Sequence, residues 1–244
     1  MSIAFFDVDG TLLPHPSLES RFFWNLVRQG KIPATNYLRW IAQMFRIGAT
    51  NLATAAQSNK MYLSRVPTSV LSPFETRQDR WIPAFFPAAI QRVWSHALHG
   101  DEIVLVSGTL APLADIVKAA LERELLCRGI ETLIAVLATR LVAHNGRWTG
   151  SIGGAPMFGE AKRTAAKEFA SSRGVALAQC SAYGDHALDR SLLETVGNPV
   201  AVNPTPGLRR IASQNGWQAV CWRTYPQRTA DARHALKWKG EVAR

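Results

Sequence analysis

Short, wholly apolar runs alternate with amphipathic helical stretches along most of this chain, and that alternation restricts the fold more than any other feature. The runs are "IAFFD" (3–7), "EIVLVS" (102–107), "LIAVLA" (133–138), "QCSAYGD" (179–185), "PVAV" (199–202) and "WQAVCW" (217–222). A strand that is apolar on both faces belongs inside a parallel sheet covered on both sides. Helices are expected between the runs: one opened by Pro87 and closed by Gly100, then 110–126, 160–173, 187–196 and 206–214. Strand–helix units of this kind predict an α/β fold, a doubly wound, Rossmann-like parallel sheet. One segment departs from the rhythm. "TRLVAHNGRWTGSI" alternates around Asn145-Gly146, a hairpin signal.

Residues 15–87 have a different texture. "SLESRFFWNLVRQG" is a helix pattern that Gly30 ends, and "PATNYLRWIAQMFRIG" starts with Pro33 and stops at Gly48. Ser72-Pro73-Phe74-Glu75 has the form of a capping box. The expectation is a helical cap at 15–87 inserted into a core made of 1–14 and 88–222, followed by a basic tail at 223–244. The cap aromatics Phe22, Phe23, Trp24, Tyr37, Trp40 and Phe45 mostly fit a core stripe.

Charge follows the same division. The chain of 244 residues carries a formal +10. Residues 15–87 contribute +6 and residues 223–244 contribute +4, so the remainder is neutral. Basic patches favour anionic partners, whether substrate, acidic lipid surface or nucleic acid. No apolar run approaches the ~20 residues of a membrane-spanning helix, and the N-terminus lacks the form of a secretory signal. Cys127, Cys180 and Cys221 are odd in number and lack metal-ligand spacing, as for reduced thiols in a cytoplasmic protein.

In open α/β sheets ligands bind at the carboxyl ends of the strands. Three of those ends are polar here: Asp7/Asp9, Ser107/Thr109 and Asp185/Asp189. Asp7 and Asp9 stand two residues apart where the first strand stops. Like charges so close disfavour each other's ionisation unless a cation or a proton intervenes. Singly, each element has a bland reading, since Asp and Gly are ordinary turn residues. Their order and strand-end placement are more specific.

"FFDVDGTLL" (5–13), "IVLVSGT" (103–109), "GEAKR" (159–163) and "YGDHALD" (183–189) together resemble the haloacid dehalogenase superfamily, in its phosphoserine-phosphatase-like branch with a helical cap (subfamily IB). The similarity spans nearly all of 1–222. The resemblance implies a Mg²⁺-dependent phosphomonoesterase working through an aspartyl-phosphate. Asp7 would be the nucleophile, Asp9 the acid and base, and Lys162 the cation that neutralises the phosphoryl charge. Thr11, Ser107, Gly108 and Thr109 would bind phosphate. Asp7, Asp9 (through its backbone carbonyl), Asp185 and Asp189 would form the metal site. Dehalogenases of the superfamily lack the second acid, and the transport ATPases place a Lys where Val8-Asp9-Gly10 stands here.

The cap is expected to choose the substrate, a small phosphorylated metabolite. In phosphoserine phosphatases a cap acid pairs with the substrate amine. Glu19 lies later than that acid, and Pro16 falls roughly in its place. Glu19 and Arg21 are the substrate-binding candidates of the cap. Two other readings are a phosphatase or phosphotransferase acting on a lipid headgroup at an anionic membrane surface, and a binding module for anionic lipid or nucleic acid. The intact chemical residues weigh against the last, and no nucleic-acid partner is expected.

Overall fold

A computed structural model of the chain describes residues 2–48, 58–76 and 81–223. Six strands form one all-parallel sheet: β1 (Ile3–Phe6), β2 (Glu102–Leu110), β3 (Ile134–Thr139), β6 (Ser181–Gly184), β7 (Asn198–Val202) and β8 (Gln218–Val220). Their spatial order is β3-β2-β1-β6-β7-β8. Counting only these six, the order is 3-2-1-4-5-6, that of the doubly wound dinucleotide-binding fold, and it reverses between β1 and β6. The hairpin β4 (Leu141–His144) and β5 (Arg147–Ile152) forms a separate two-stranded sheet. Asn145 and Gly146 both have positive φ (48° and 69°), as its two-residue turn requires.

The central strands β1 and β2 are buried on both faces because they are apolar through most of their length. Ala4, Phe6, Ile103 and Leu105 join one core and Ile3, Phe5, Val104 and Val106 the other. Each fully buried Phe or Leu of this set contributes about 2 kcal/mol. Phe6 stacks on Tyr183 with ring centroids 4.4 Å apart and planes 5° from parallel. The same two residues pair in the β1–β6 register. That register brings Asp7, one step past β1, beside the end of β6.

Between β1 and β2 the chain forms α1 (Leu18–Arg28), α2 (Ala34–Gly48), α3 (Ser72–Thr76) and α4 (Pro87–Leu98). Ser17 caps α1 through its hydroxyl, which accepts from the Ser20 amide at 3.3 Å. Leu18, Phe22 and Leu26, at i, i+4 and i+8, bury one face of α1 in the core. Among the described residues, the helices that follow are α5 (Ala111–Leu126), α6 (Glu160–Ser172), α7 (Arg190–Leu193) and α8 (Pro206–Asn215).

Several expectations need correction. Ser72 already has helical φ and ψ (−50°, −40°), because a 3₁₀ turn at Thr68–Leu71 runs straight into α3. The helix expected at 187–196 is a 3₁₀ turn, Ala187–Asp189, followed by the four-residue α7. Of the six cap aromatics, Trp24 and Phe45 face outward, at 58% and 79% exposure. All three cysteines are free, but only Cys180 is buried. The basic tail from residue 224 on lies outside the described residues. Among the described residues, no helix is long and apolar enough to cross a membrane.

Candidate functional site

Asp7, Asp185 and Asp189 converge where the strand order reverses. Asp7 follows β1, and its amide donates to the Tyr183 carbonyl at 2.9 Å. Asp185 follows β6, and Asp189 ends the 3₁₀ turn beyond it. One carboxylate oxygen from each of the three lies within 4.8 Å of the other two, and all three residues are buried. Lys162, on the first turn of α6, reaches into this group. Its Nζ donates to Asp7 Oδ1 and to Asp189 Oδ1, both at 2.6 Å.

The electrostatics follow from burial. Loss of water pushes the Asp7 carboxyl well above the usual carboxylate range, with Lys162 pulling it back and Asp189 and Asp185 adding to the rise. Asp185 is raised for the same first reason. Burial opposes the charge on Lys162, but Asp189 and Asp7 outweigh it and hold the ammonium above its ordinary value. Three carboxylates thus face one ammonium, and the surplus negative charge is what a divalent cation would offset. The donors are all hard oxygens, which fits Mg²⁺.

Asp9 has a separate position. Its Oδ1 accepts from the Leu18 amide at 2.8 Å, which ties the start of α1 to the β1 loop. Its side chain is not part of the three-carboxylate group. Burial raises its carboxyl to about 6, against a pull downward from the Leu18 hydrogen bond.

Asp7, Asp9, Ser107, Gly108, Thr109, Lys162, Asp185 and Asp189 all line one cavity of about 240 Å³. The family model for haloacid dehalogenase-like hydrolases matches residues 4–194, which include every one of them. This chain belongs to the haloacid dehalogenase-like hydrolases. A probable phosphatase of Mycobacterium tuberculosis is 33% identical over 146 residues, 60% of this chain and 47% of that protein. The chain therefore spans about half the length of that relative. A histidinol-phosphatase of Neisseria meningitidis is 27% identical over 234 residues, 90% of this chain and 98% of that one. A substrate-bound phosphoserine phosphatase structure shares the fold, with a TM-score of 0.60 at 20% identity over 97% of both chains.

In this haloacid dehalogenase-like hydrolase, the second strand does not end at Ser107 as expected. β2 continues to Leu110, and its pairing with β3 shifts register between Ser107 and Leu110. An irregular strand re-aims side chains there without ending the strand. The Thr109 amide donates to Ser107 Oγ at 3.2 Å. Thr109 Oγ1 is buried without a partner, and so is Thr11 Oγ1. Thr109 lines the cavity and Thr11 does not, being fully buried beside the β1 loop.

The two cap candidates fare differently. Glu19 lines the cavity, but its carboxylate already accepts from Lys60 Nζ at 2.6 and 2.8 Å and from Tyr62 Oη at 3.0 Å. Arg21 is not among the lining residues. Its guanidinium donates to the carbonyls of Pro16 and His15 and braces the turn where the chain leaves the core.

Three contributors escaped the sequence reading. His15 Nε2 lies 3.3 Å from Asp185 Oδ2. The Phe158 ring packs so tightly against Gly108 that a Cβ at 108 would overlap it. Asn203, at the end of β7, donates from Nδ2 to the Gly10 carbonyl at 2.9 Å and so holds the β1 loop. Gly10 itself has φ +86°, and a Cβ there would overlap Asp185 Oδ2. The glycine was legible, but its reason lies 175 residues away in sequence.

Proposed function

We propose that the chain is a Mg²⁺-dependent phosphomonoesterase that hydrolyses a small phosphorylated metabolite through an aspartyl-phosphate. The observation that carries this reading is the buried Asp7–Lys162–Asp189 bridge beside Asp185, at the carboxyl edge of the sheet. Membership in the hydrolase family supports it, as do relatives described as a probable phosphatase and as a histidinol-phosphatase.

In this reading Lys162 fixes Asp7 through Oδ1, and Oδ2 attacks phosphorus. The ester P–O bond breaks as Asp9 transfers its proton to the leaving alkoxide. Water then attacks the acyl phosphate, Asp9 takes its proton, and the P–O bond to Asp7 breaks to release phosphate. A carboxyl that titrates near 6 is suited to both halves, because it gives up and takes back a proton close to neutral pH. Lys162 compensates negative charge on the transferring group, and the Ser107 and Thr109 hydroxyls donate to its oxygens. Asp7, Asp185, Asp189 and the Asp9 backbone carbonyl would hold Mg²⁺, which supplies further charge compensation for the phosphoryl oxygens. Helices α1 and α2 act as a cap over this cavity, and the core consists of 1–14 and 88–222.

The test is Asp7→Asn, which is nearly isosteric and removes the nucleophile. Turnover of p-nitrophenyl phosphate with Mg²⁺ is expected to fall below detection. Wild-type turnover in that variant would sink the assignment.

A further inference from the structure

A second cavity, of about 370 Å³, adjoins the first and shares Ser17, Glu19 and Phe158 with it. Five of its ten lining residues are aromatic: Phe23, Trp24, Trp40, Tyr62 and Phe158. The rings are held by one another. Phe23 meets Trp24 edge-on at 5.4 Å and Tyr62 edge-on at 5.2 Å, and lies 6.5 Å from Trp40.

The charged groups of this chamber cancel. Lys60 and Glu19 form a close pair in which Lys60 is 3% exposed, and Tyr62 adds a third hydrogen bond to the same carboxylate. An ammonium on a substrate would have to displace Lys60 to reach Glu19. Asn59 is also engaged, donating to the Trp40 carbonyl at 2.7 Å and accepting from the Met61 amide at 3.1 Å. None of the buried polar side-chain atoms left without a partner, among the described residues, belongs to this chamber. Its ion pair, the Tyr62 hydroxyl and the Asn59 amide are engaged within the protein, and what it chiefly offers an occupant is ring faces and edges. An unpaired ionic or strongly polar body would lose hydration there without gaining a partner, whereas a flat apolar one would bury area and stack.

We infer that this chamber receives the alcohol portion of the substrate, and that the substrate is the phosphate monoester of an alcohol bearing an aromatic ring on a short linker. This rests on the phosphomonoesterase reading of the adjoining cavity. The phosphate sits against Asp7 and Lys162, Phe158 stands at the passage between the cavities, and the ring lies among Phe23, Trp24 and Trp40. An amino-acid phosphate such as phosphoserine fills the first cavity and leaves the second without a complement.

The test is steady-state kinetics of the full chain with Mg²⁺ on ethyl phosphate, phenethyl phosphate, phosphoserine and dodecyl phosphate. Phenethyl phosphate is expected to exceed ethyl phosphate and phosphoserine in kcat/KM by on the order of tenfold or more, as filling an apolar pocket typically gives. Trp24→Ala, at a half-exposed position that tolerates truncation, and Trp40→Ala should each lower the phenethyl-to-ethyl ratio at least fivefold. Phenethylphosphonate should also quench tryptophan fluorescence less in both variants than in the wild type. Turnover of ethyl phosphate or phosphoserine without a phenethyl preference would overturn the inference and leave the phosphomonoesterase reading standing. A preference for dodecyl over phenethyl phosphate would overturn it in favour of an acyl chain. Failure to hydrolyse any of the four would overturn both.

Discussion

Lys162 Nζ lies 2.6 Å from Asp189 Oδ1 and the same distance from Asp7 Oδ1, with all three residues buried. A buried ion cluster is weak evidence of stabilisation in itself, but removing its ammonium leaves uncompensated charge. Lys162→Met is therefore expected to cost about 3–5 kcal/mol in metal-free protein. The measurement is urea unfolding with and without Mg²⁺. A cation bound among the same carboxylates takes over part of the compensation, so Mg²⁺ should restore more stability to the variant than it adds to the wild type. Equal gains would argue against a shared set of carboxylates. Turnover should stay lost in both conditions.

The contact between Gly108 and Phe158 yields a prediction with a built-in control. Gly108→Ala forces a Cβ into the Phe158 ring, and overpacking of this kind costs about 1–3 kcal/mol. Phe158→Ala alone removes the ring from the cavity wall. In the double variant the ring atoms nearest to the Cβ of residue 108 are gone, so the double-mutant cycle should show a coupling of at least 1 kcal/mol in favour of the pair. Additive losses in chemical denaturation would mean that the β2 irregularity tolerates a side chain without help from Phe158.

These contacts mark what could and could not be read from the chain. The central strands were legible because their apolar runs serve both faces, and the turn at Asn145-Gly146 because few residues adopt two consecutive positive φ values. Asp7, Asp9, Asp185 and Asp189 were legible because they stand at strand ends on the carboxyl edge, and Lys162 only through the resemblance that "GEAKR" helps to carry. The extent of β2 was not, since Ser107-Gly108-Thr109 has the composition of a loop, and the strand continues past it only because Ser107 and Leu110 on either side of the register shift pair with β3. Nor were the pairings of Glu19 with Lys60 or of Gly10 with Asn203, which join residues 41 and 193 positions apart through tertiary packing alone. Helical periodicity placed Trp24 on a core stripe. It could not show that a cavity would open between Trp24, Trp40 and Phe158.

Asp9 gives the pH dependence. Its carboxyl is raised to about 6 in the folded chain from 3.8, chiefly by burial. The native state therefore holds this proton more tightly than the unfolded chain does. The stability it contributes is fully present below about 4 and is lost as pH rises through about 6. The loss is on the order of 3 kcal/mol. Asp9→Asn keeps an acceptor for the Leu18 amide and removes the titration. In metal-free protein it should equal the wild type near pH 4 and exceed it in stability at pH 8, while kcat falls by about 10²–10⁴. Thermal unfolding across pH 4–8 checks the first part and stopped-flow turnover the second. Parallel stability curves for the two proteins would show that Asp9 is ionised in the native state throughout.

Asn203 links three segments that the site depends on. Its Nδ2 donates to the Gly10 carbonyl at 2.9 Å, and its Oδ1 accepts from the amides of Trp222 at 2.7 Å and Arg223 at 3.1 Å. The residue is buried, with φ +44°. Asn203→Ala leaves these backbone groups without their partner, at about 1–3 kcal/mol for each that stays dry, and places a Cβ residue in the left-handed region at about 1 kcal/mol more. Asn203→Gly removes the side chain but relieves the backbone, so it should be the milder change by about that last amount. Asn203→Asp keeps the acceptor for Trp222 and Arg223 and sets a carboxylate oxygen, in place of the donor, against the Gly10 carbonyl. If the Gly10 bond positions the Asp7–Asp9 loop for catalysis, Asn203→Asp should lower kcat several-fold with KM little changed, and Asn203→Gly should lower it at least as far. Loss of stability with kcat intact in all three variants would limit Asn203 to joining the ends of β7 and β8.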